Sequence, residues 1–111
     1  MKLLILTFIF LPIFCFTQVT GDITKDKRKL TKEFAFEIEG NTTGVLTFDI
    51  AVNEAGDVTG CQLNRAECTI YSTPLVIRQK NRILSELKFE PGNQYPKFHQ
   101  GKIQITIIDT P

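Results

Sequence analysis

The chain has 111 residues, with 13 Lys and Arg against 12 Asp and Glu, one His, three Cys and no Trp. A chain of that length holds one domain around a single core. Lys2 is the only charge before Asp22, which leaves 12 basic residues against 12 acidic ones and gives no electrostatic footing for nucleic acid or a strongly anionic surface as partner.

Residues 1–18, MKLLILTFIFLPIFCFTQ, run from one Lys through an apolar block, Leu3 to Phe16, into a short polar exit. The block is too short to cross ~30 Å of hydrocarbon comfortably and has the layout of a secretory signal peptide. Residues 1–17 are therefore expected to be a signal cleaved near Thr17 and Gln18, leaving an exported protein, periplasmic or secreted, with no stable membrane span. An uncleaved anchor is the alternative. Cleavage would remove Cys15 and leave Cys61 and Cys68, an even pair in an oxidising compartment, for which a disulfide is the natural expectation and two reduced thiols the alternative. A single His and the absence of paired ligand spacing argue against a metal site.

Residues 18–32 are polar and charged, with Lys25, Lys27, Arg28, Lys29 and Lys32 set against Asp22 and Asp26. This stretch reads as a flexible, solvated leader rather than a basic recognition arm. The domain proper is expected over 33–111. Glu33 to Glu39 alternates Phe34, Phe36 and Ile38 with glutamates, which predicts a first strand, antiparallel to the next through Gly40 to Gly44. From Gly44 to Asn64, Leu46, Phe48, Ile50 and Val52 recur at every second residue. The Asn53–Asp57 turn follows, where Gly56 can take the positive φ that closes a hairpin, and then a returning strand in which Gly60 marks a bulge or a close backbone approach.

Thr73 before Pro74 predicts a helix start. Val76, Ile83, Leu84 and Leu87 then share one helical face, and Phe89-Glu90-Pro91-Gly92 ends the run. The loop from Asn93 to Gln100 carries Tyr95 and His99, and Lys102 to Asp109 reads as the last strand, with Ile103, Ile105 and Ile107 inward. The sum is an α+β two-layer sandwich: an antiparallel sheet of three to four strands with one main helix on one face.

Catalytic chemistry finds no footing in this pattern. Ser72 and Ser85 lie outside any Gly-x-Ser-x-Gly turn, no phosphate-cradling glycine loop occurs, and His99 reads as a loop residue satisfied by backbone or water. The expectation is a non-enzyme without cofactor; a small-ligand site around His99 and the Asn93–Gln100 loop is the weakest alternative.

Taken together, Gly44-Val45, Phe48, Ile50, Val52-Asn53-Glu54-Ala55-Gly56-Asp57-Val58, Leu84-Ser85-Glu86-Leu87-Lys88-Phe89-Glu90-Pro91 and Gln100-Gly101-Lys102-Ile103 resemble the carboxy-terminal domain of TonB-family energy transducers, particularly the divergent Bacteroidetes versions. The resemblance covers Gly44 to Asp109. It implies a two-layer periplasmic domain whose sheet edge receives an extended peptide from the outer-membrane transport machinery by strand addition. The edge it implies is the last strand, through Lys102, Gln104, Thr106 and Ile108. A structural or assembly subunit of an envelope complex is the other reading.

Overall fold

The computed structural model describes residues 18–109, so the expected signal at residues 1–17 lies outside the described residues. The elements are β1 (Val19–Thr20), α1 (Asp22–Lys25), β2 (Glu37–Gly40), β3 (Gly44–Val52), β4 (Val58–Leu63), a 3-10 turn at Arg65–Glu67, α2 (Thr73–Glu86) and β5 (His99–Asp109). They make a small α+β domain with an open five-stranded sheet in the order β1-β5-β3-β4, with β2 also paired to β5. All pairs are antiparallel except β2 with β5.

The centre is β5. It runs antiparallel to β3 from Gly44↔Ile107 to Val52↔His99, so that Phe48 meets Ile103 and Leu46 meets Ile105 on one face. Leu46, Phe48, Val52, Ile103, Ile105 and Ile107 are completely buried. This is the two-residue period read from the sequence, and it commits one sheet face to the core. The other face carries Asp49, Gln62, Gln100 and Gln104 and is polar, as the alternation requires; among the described residues the Arg65–Glu67 turn meets it at Thr47, whose hydroxyl donates to Glu67 O at 2.8 Å.

The core face is covered by α2. Pro74 sits in its first turn, where a missing amide donor is harmless. The cap position is Ser72 rather than Thr73, and neither hydroxyl caps an amide. Ile83 and Leu87 are fully buried, with Val76 and Leu84 packed against them at the expected helical spacing. The helix ends where Leu87 turns extended at ψ 119°. Lys88 and Phe89 then bridge the β3–β4 turn to the leader, through Asp57↔Lys88 and Leu30↔Phe89.

Two sequence expectations are corrected here. The alternation at Glu33 to Glu39 yields only a short strand, Glu37–Gly40, and it lies parallel to β5, not antiparallel to β3. The Asn41–Thr43 connection carries the chain round the end of β5 from one of its edges to the other, and Thr43 Oγ1 accepts the Asp109 amide at 3.1 Å at that crossing. Residues 18–32 are not a solvated leader either: β1 pairs with β5, and Ile23 of α1 is fully buried against Gly101. The sheet therefore has five strands where three to four were expected.

The hairpin turn is held from both sides. Asn53 Oδ1 accepts the Asp57 amide at 2.9 Å, and Gly56, at φ +92°, gives its carbonyl to the Phe89 amide at 2.9 Å. A Cβ at Gly56 would run into the Phe89 carbonyl, whereas one at Gly60 would meet only the Ala51 methyl at 3.6 Å. Urea unfolding should accordingly find Gly56→Ala destabilised by ~2 kcal/mol or more and Gly60→Ala by under ~1 kcal/mol, because only the first combines a forbidden φ with a clash.

Candidate functional site

A strand-addition site requires a strand with one unpaired edge. Lys102, Gln104, Thr106 and Ile108 all stand half-buried on β5, with their side chains on the face opposite Ile103, Ile105 and Ile107. Their main chain points away from β3, as an edge strand would have it, but that side is taken. The Gln104 amide donates to Gln18 O at 2.9 Å and the Thr106 amide to Phe36 O at 2.8 Å, while β1 and β2 pair with the residues on either side. In this structure β5 is therefore an interior strand, and its expected open edge is filled by the chain's own residues 18–20 and 36–40.

Two side chains fasten that filling. Arg28, only 5% exposed, donates from Nε to Glu90 O at 2.7 Å, from Nη2 to Asn53 O at 2.8 Å and from Nη1 to His99 Nδ1 at 3.2 Å. Its guanidinium also lies 4.2 Å from the centre of the Tyr95 ring, which stacks on His99. A guanidinium can only donate, so Nδ1 of His99 is the acceptor and the ring proton sits on Nε2, which donates to Asp26 Oδ2 at 2.7 Å. Desolvation by burial lowers the Arg28 pKa, offset in part by the charges of Tyr95 and Glu90. The second fastener is Arg82 of α2, whose Nη2 donates to Ala35 O at 2.6 Å with the guanidinium 4.2 Å over Phe34. Burial lowers its pKa too.

His99, expected in the loop, is thus the first residue of β5, buried, with both ring nitrogens engaged. It has no free nitrogen for a substrate. A hollow of about 620 Å³ on the polar sheet face draws only Gln100 from the Asn93–Gln100 loop and is otherwise lined by residues such as Asp49, Gln62 and Lys102. Lys102 Nζ donates to Glu67 Oε2 at 2.5 Å across that face, and this bond, with the charges of Glu67 and Asp49, raises the Lys102 pKa. Ser85 is bound to the carbonyl of Asn81. Among the described residues no cluster of three His, Cys, Asp or Glu is placed to hold a metal, and no helix is long and apolar enough to cross a membrane.

Cys61 and Cys68 form no disulfide in the structure. Cys61 pairs with Ile50. Cys68 lies beside Thr47, where its sulfur accepts the Thr47 amide at 3.3 Å in place of a ladder carbonyl. Burial pushes the Cys61 thiol up to about 11, against the opposing pull of Lys80, so at neutral pH it is a poor nucleophile.

The longest unpaired edge among the described residues belongs to β4. It pairs with β3 alone, with the register slipping between Ala51 and Val52. The Asn64 amide donates to Thr47 O at 2.8 Å. By alternation, the amides and carbonyls of Leu63 and Cys61 then point outward, and no backbone or side-chain partner from the described residues meets them. No residue of the strand Val58–Leu63 is charged. The absence of Lys, Glu and Pro along Val58–Leu63 is the sequence sign of an edge left open. Compared with protein-family models, with curated proteins and with solved structures, the chain finds no match.

Replacing Arg28 by Ala removes its bonds to the half-buried Glu90 and Asn53 carbonyls and leaves His99 Nδ1 without its donor, so chemical denaturation should register a loss of about 3 kcal/mol. Arg28→Lys should recover less than half of it, because an ammonium cannot serve three divergent acceptors.

Proposed function

We propose that this protein is a small exported, non-catalytic binding module of the cell envelope, which recognises an extended peptide or protein segment by taking it on as an added strand. The observation that carries this reading is the β4 edge, with outward main-chain groups at Cys61 and Leu63 and no charge along the strand. Strand addition draws affinity from main-chain hydrogen bonds and selectivity from alternate side chains, and it needs no catalytic group. The engagement of both His99 nitrogens supports the non-catalytic part of the reading.

Export rests on the N-terminal pattern, and the link to the outer-membrane transport machinery rests on the resemblance to TonB carboxy-terminal domains. The edge differs from the one that the resemblance implies. On β5 an incoming strand would first have to displace β1 and β2, and with them the Arg28 and Arg82 contacts, whereas β4 requires no displacement. The polar character of the uncovered sheet face, with Asp49, Gln62 and Gln100 exposed, weighs toward a partner that comes and goes and away from a permanently packed subunit, whose interface would be more apolar.

Proline at position 61 removes an outward N–H without touching the bonds to β3, a placement that edge strands tolerate. Cys61→Pro should keep the circular dichroism of the parent and lose the envelope proteins that the parent captures by affinity pull-down, while Cys61→Ala should keep them. Equal capture by a folded Cys61→Pro protein would contradict the β4 edge.

A further inference from the structure

The flank of β4 is not uniform, and its chemistry specifies what kind of strand fits. This inference rests on the strand-addition reading and deepens it. Side chains of an added strand would alternate between the polar sheet face and the face covered by α2. On the α2 side, Thr73, Val76, Lys80 and Ile83 are spaced three or four residues apart and share one stripe of the helix, the stripe that includes buried Ile83.

At the Leu63 end this flank contains a small hollow of about 100 Å³, lined by Leu63, Arg65, Tyr71, Thr73 and Val76. That is about three times the ~30 Å³ of one liquid water, room for a single aliphatic side chain. Tyr71, on its wall, is 62% exposed, one of three large hydrophobic residues that the described chain leaves in solvent. The Tyr71 ring is fixed in place, because its hydroxyl donates to Cys68 O at 3.0 Å.

At the Cys61 end the flank is cationic. Lys80 lies close enough to act on the Cys61 thiol. Neither Lys80 nor, at the Leu63 end, Arg65 is in an ion pair among the described residues, and Glu67, in the same 3-10 turn as Arg65, is committed to Lys102. Cys61 and Leu63 are two residues apart on one face of the strand, about 7 Å. An added strand would set two of its own same-face side chains at that spacing.

We propose that the β4 edge selects an extended segment carrying an aliphatic and an acidic side chain two residues apart. The aliphatic group enters the hollow between Leu63, Tyr71 and Val76, and the carboxylate meets Lys80. Main-chain bonds to Cys61 and Leu63 hold the segment, and these two side chains fix its register. A one-residue slip would turn both toward the polar sheet face and lose both contacts.

The probe is a fluorescein-labelled peptide, Thr-Thr-Val-Thr-Glu-Thr-Thr, titrated with the full-length protein, together with the reversed-order peptide and versions in which Lys replaces Glu. Binding is followed by anisotropy, and the amide resonances of Cys61 and Leu63 by NMR. One of the two acidic orders should shift both resonances and bind at least tenfold more tightly than its lysine version. Lys80→Glu, an exposed change, should invert that preference. Equal affinity for the acidic and lysine peptides, with both resonances shifted, would overturn the charge assignment and leave strand addition standing. No shift at Cys61 or Leu63 with any peptide up to millimolar concentration would overturn strand addition at β4 itself. A dimer in sedimentation without peptide, abolished by Cys61→Pro, would put a second copy of the chain on this edge and overturn the peptide assignment.

Discussion

A strand of 11 residues presents two rows of main-chain donors and acceptors, and β5 satisfies both within its own chain. One row meets β3 over nine pairs, from Gly44 to Val52. The other meets a composite of β1, the carbonyls of Gln18 and Phe36, and β2. Everything else in the molecule follows from that arrangement. The isoleucines of β5 become the middle of the core, α2 finds a face to cover, and the residues before β2 acquire a fixed place. Leaving any of these main-chain groups buried without a partner would cost ~1–3 kcal/mol each, so the two arginine fasteners stabilise more than their own contacts.

The consequence for function is an asymmetric sheet. On the β5 side, an incoming strand would compete with an intramolecular one that is held by Arg28 and Arg82 and, being part of the same chain, has the advantage of high effective concentration. On the β4 side no described residue competes. The register slip near Val52 and the glycine at position 60 twist that strand and shorten its flat run, which limits promiscuous pairing without closing the edge. A binding module built this way keeps one edge for itself and offers the other.

Much of the scaffold was legible in the residues. The β3–β4 hairpin, the α2 start at Thr73-Pro74 and the inward isoleucines of β5 each rest on a local period or a local turn preference, and local signals survive folding. The partner of each strand did not follow from them. Phe34, Phe36 and Ile38 announce an alternating segment but say nothing of whether it lies beside β3 or, as it does, parallel to β5. Arg28 and Asp26 looked like solvated charges because their partners, Glu90 and His99, are 62 and 73 residues away, and no sequence pattern spans such separations. The disulfide expectation rests on composition alone: an even number of cysteines does not say where two Cβ atoms point. The candidate edge moved from β5 to β4 because openness is a property of neighbours, which alternation along a single strand does not report.

The central claim is that β5 is closed on both sides and β4 is open on one. Backbone amide hydrogen exchange of the free protein tests it residue by residue, since an amide bonded within the sheet exchanges only when that part of the structure opens. The account predicts strong protection at Gln104 and Thr106, whose amides serve Gln18 and Phe36, and rapid exchange at Cys61 and Leu63, whose amides face solvent. Rapid exchange at Gln104 and Thr106 together with protection at Cys61 and Leu63 would contradict it and return the open edge to the last strand.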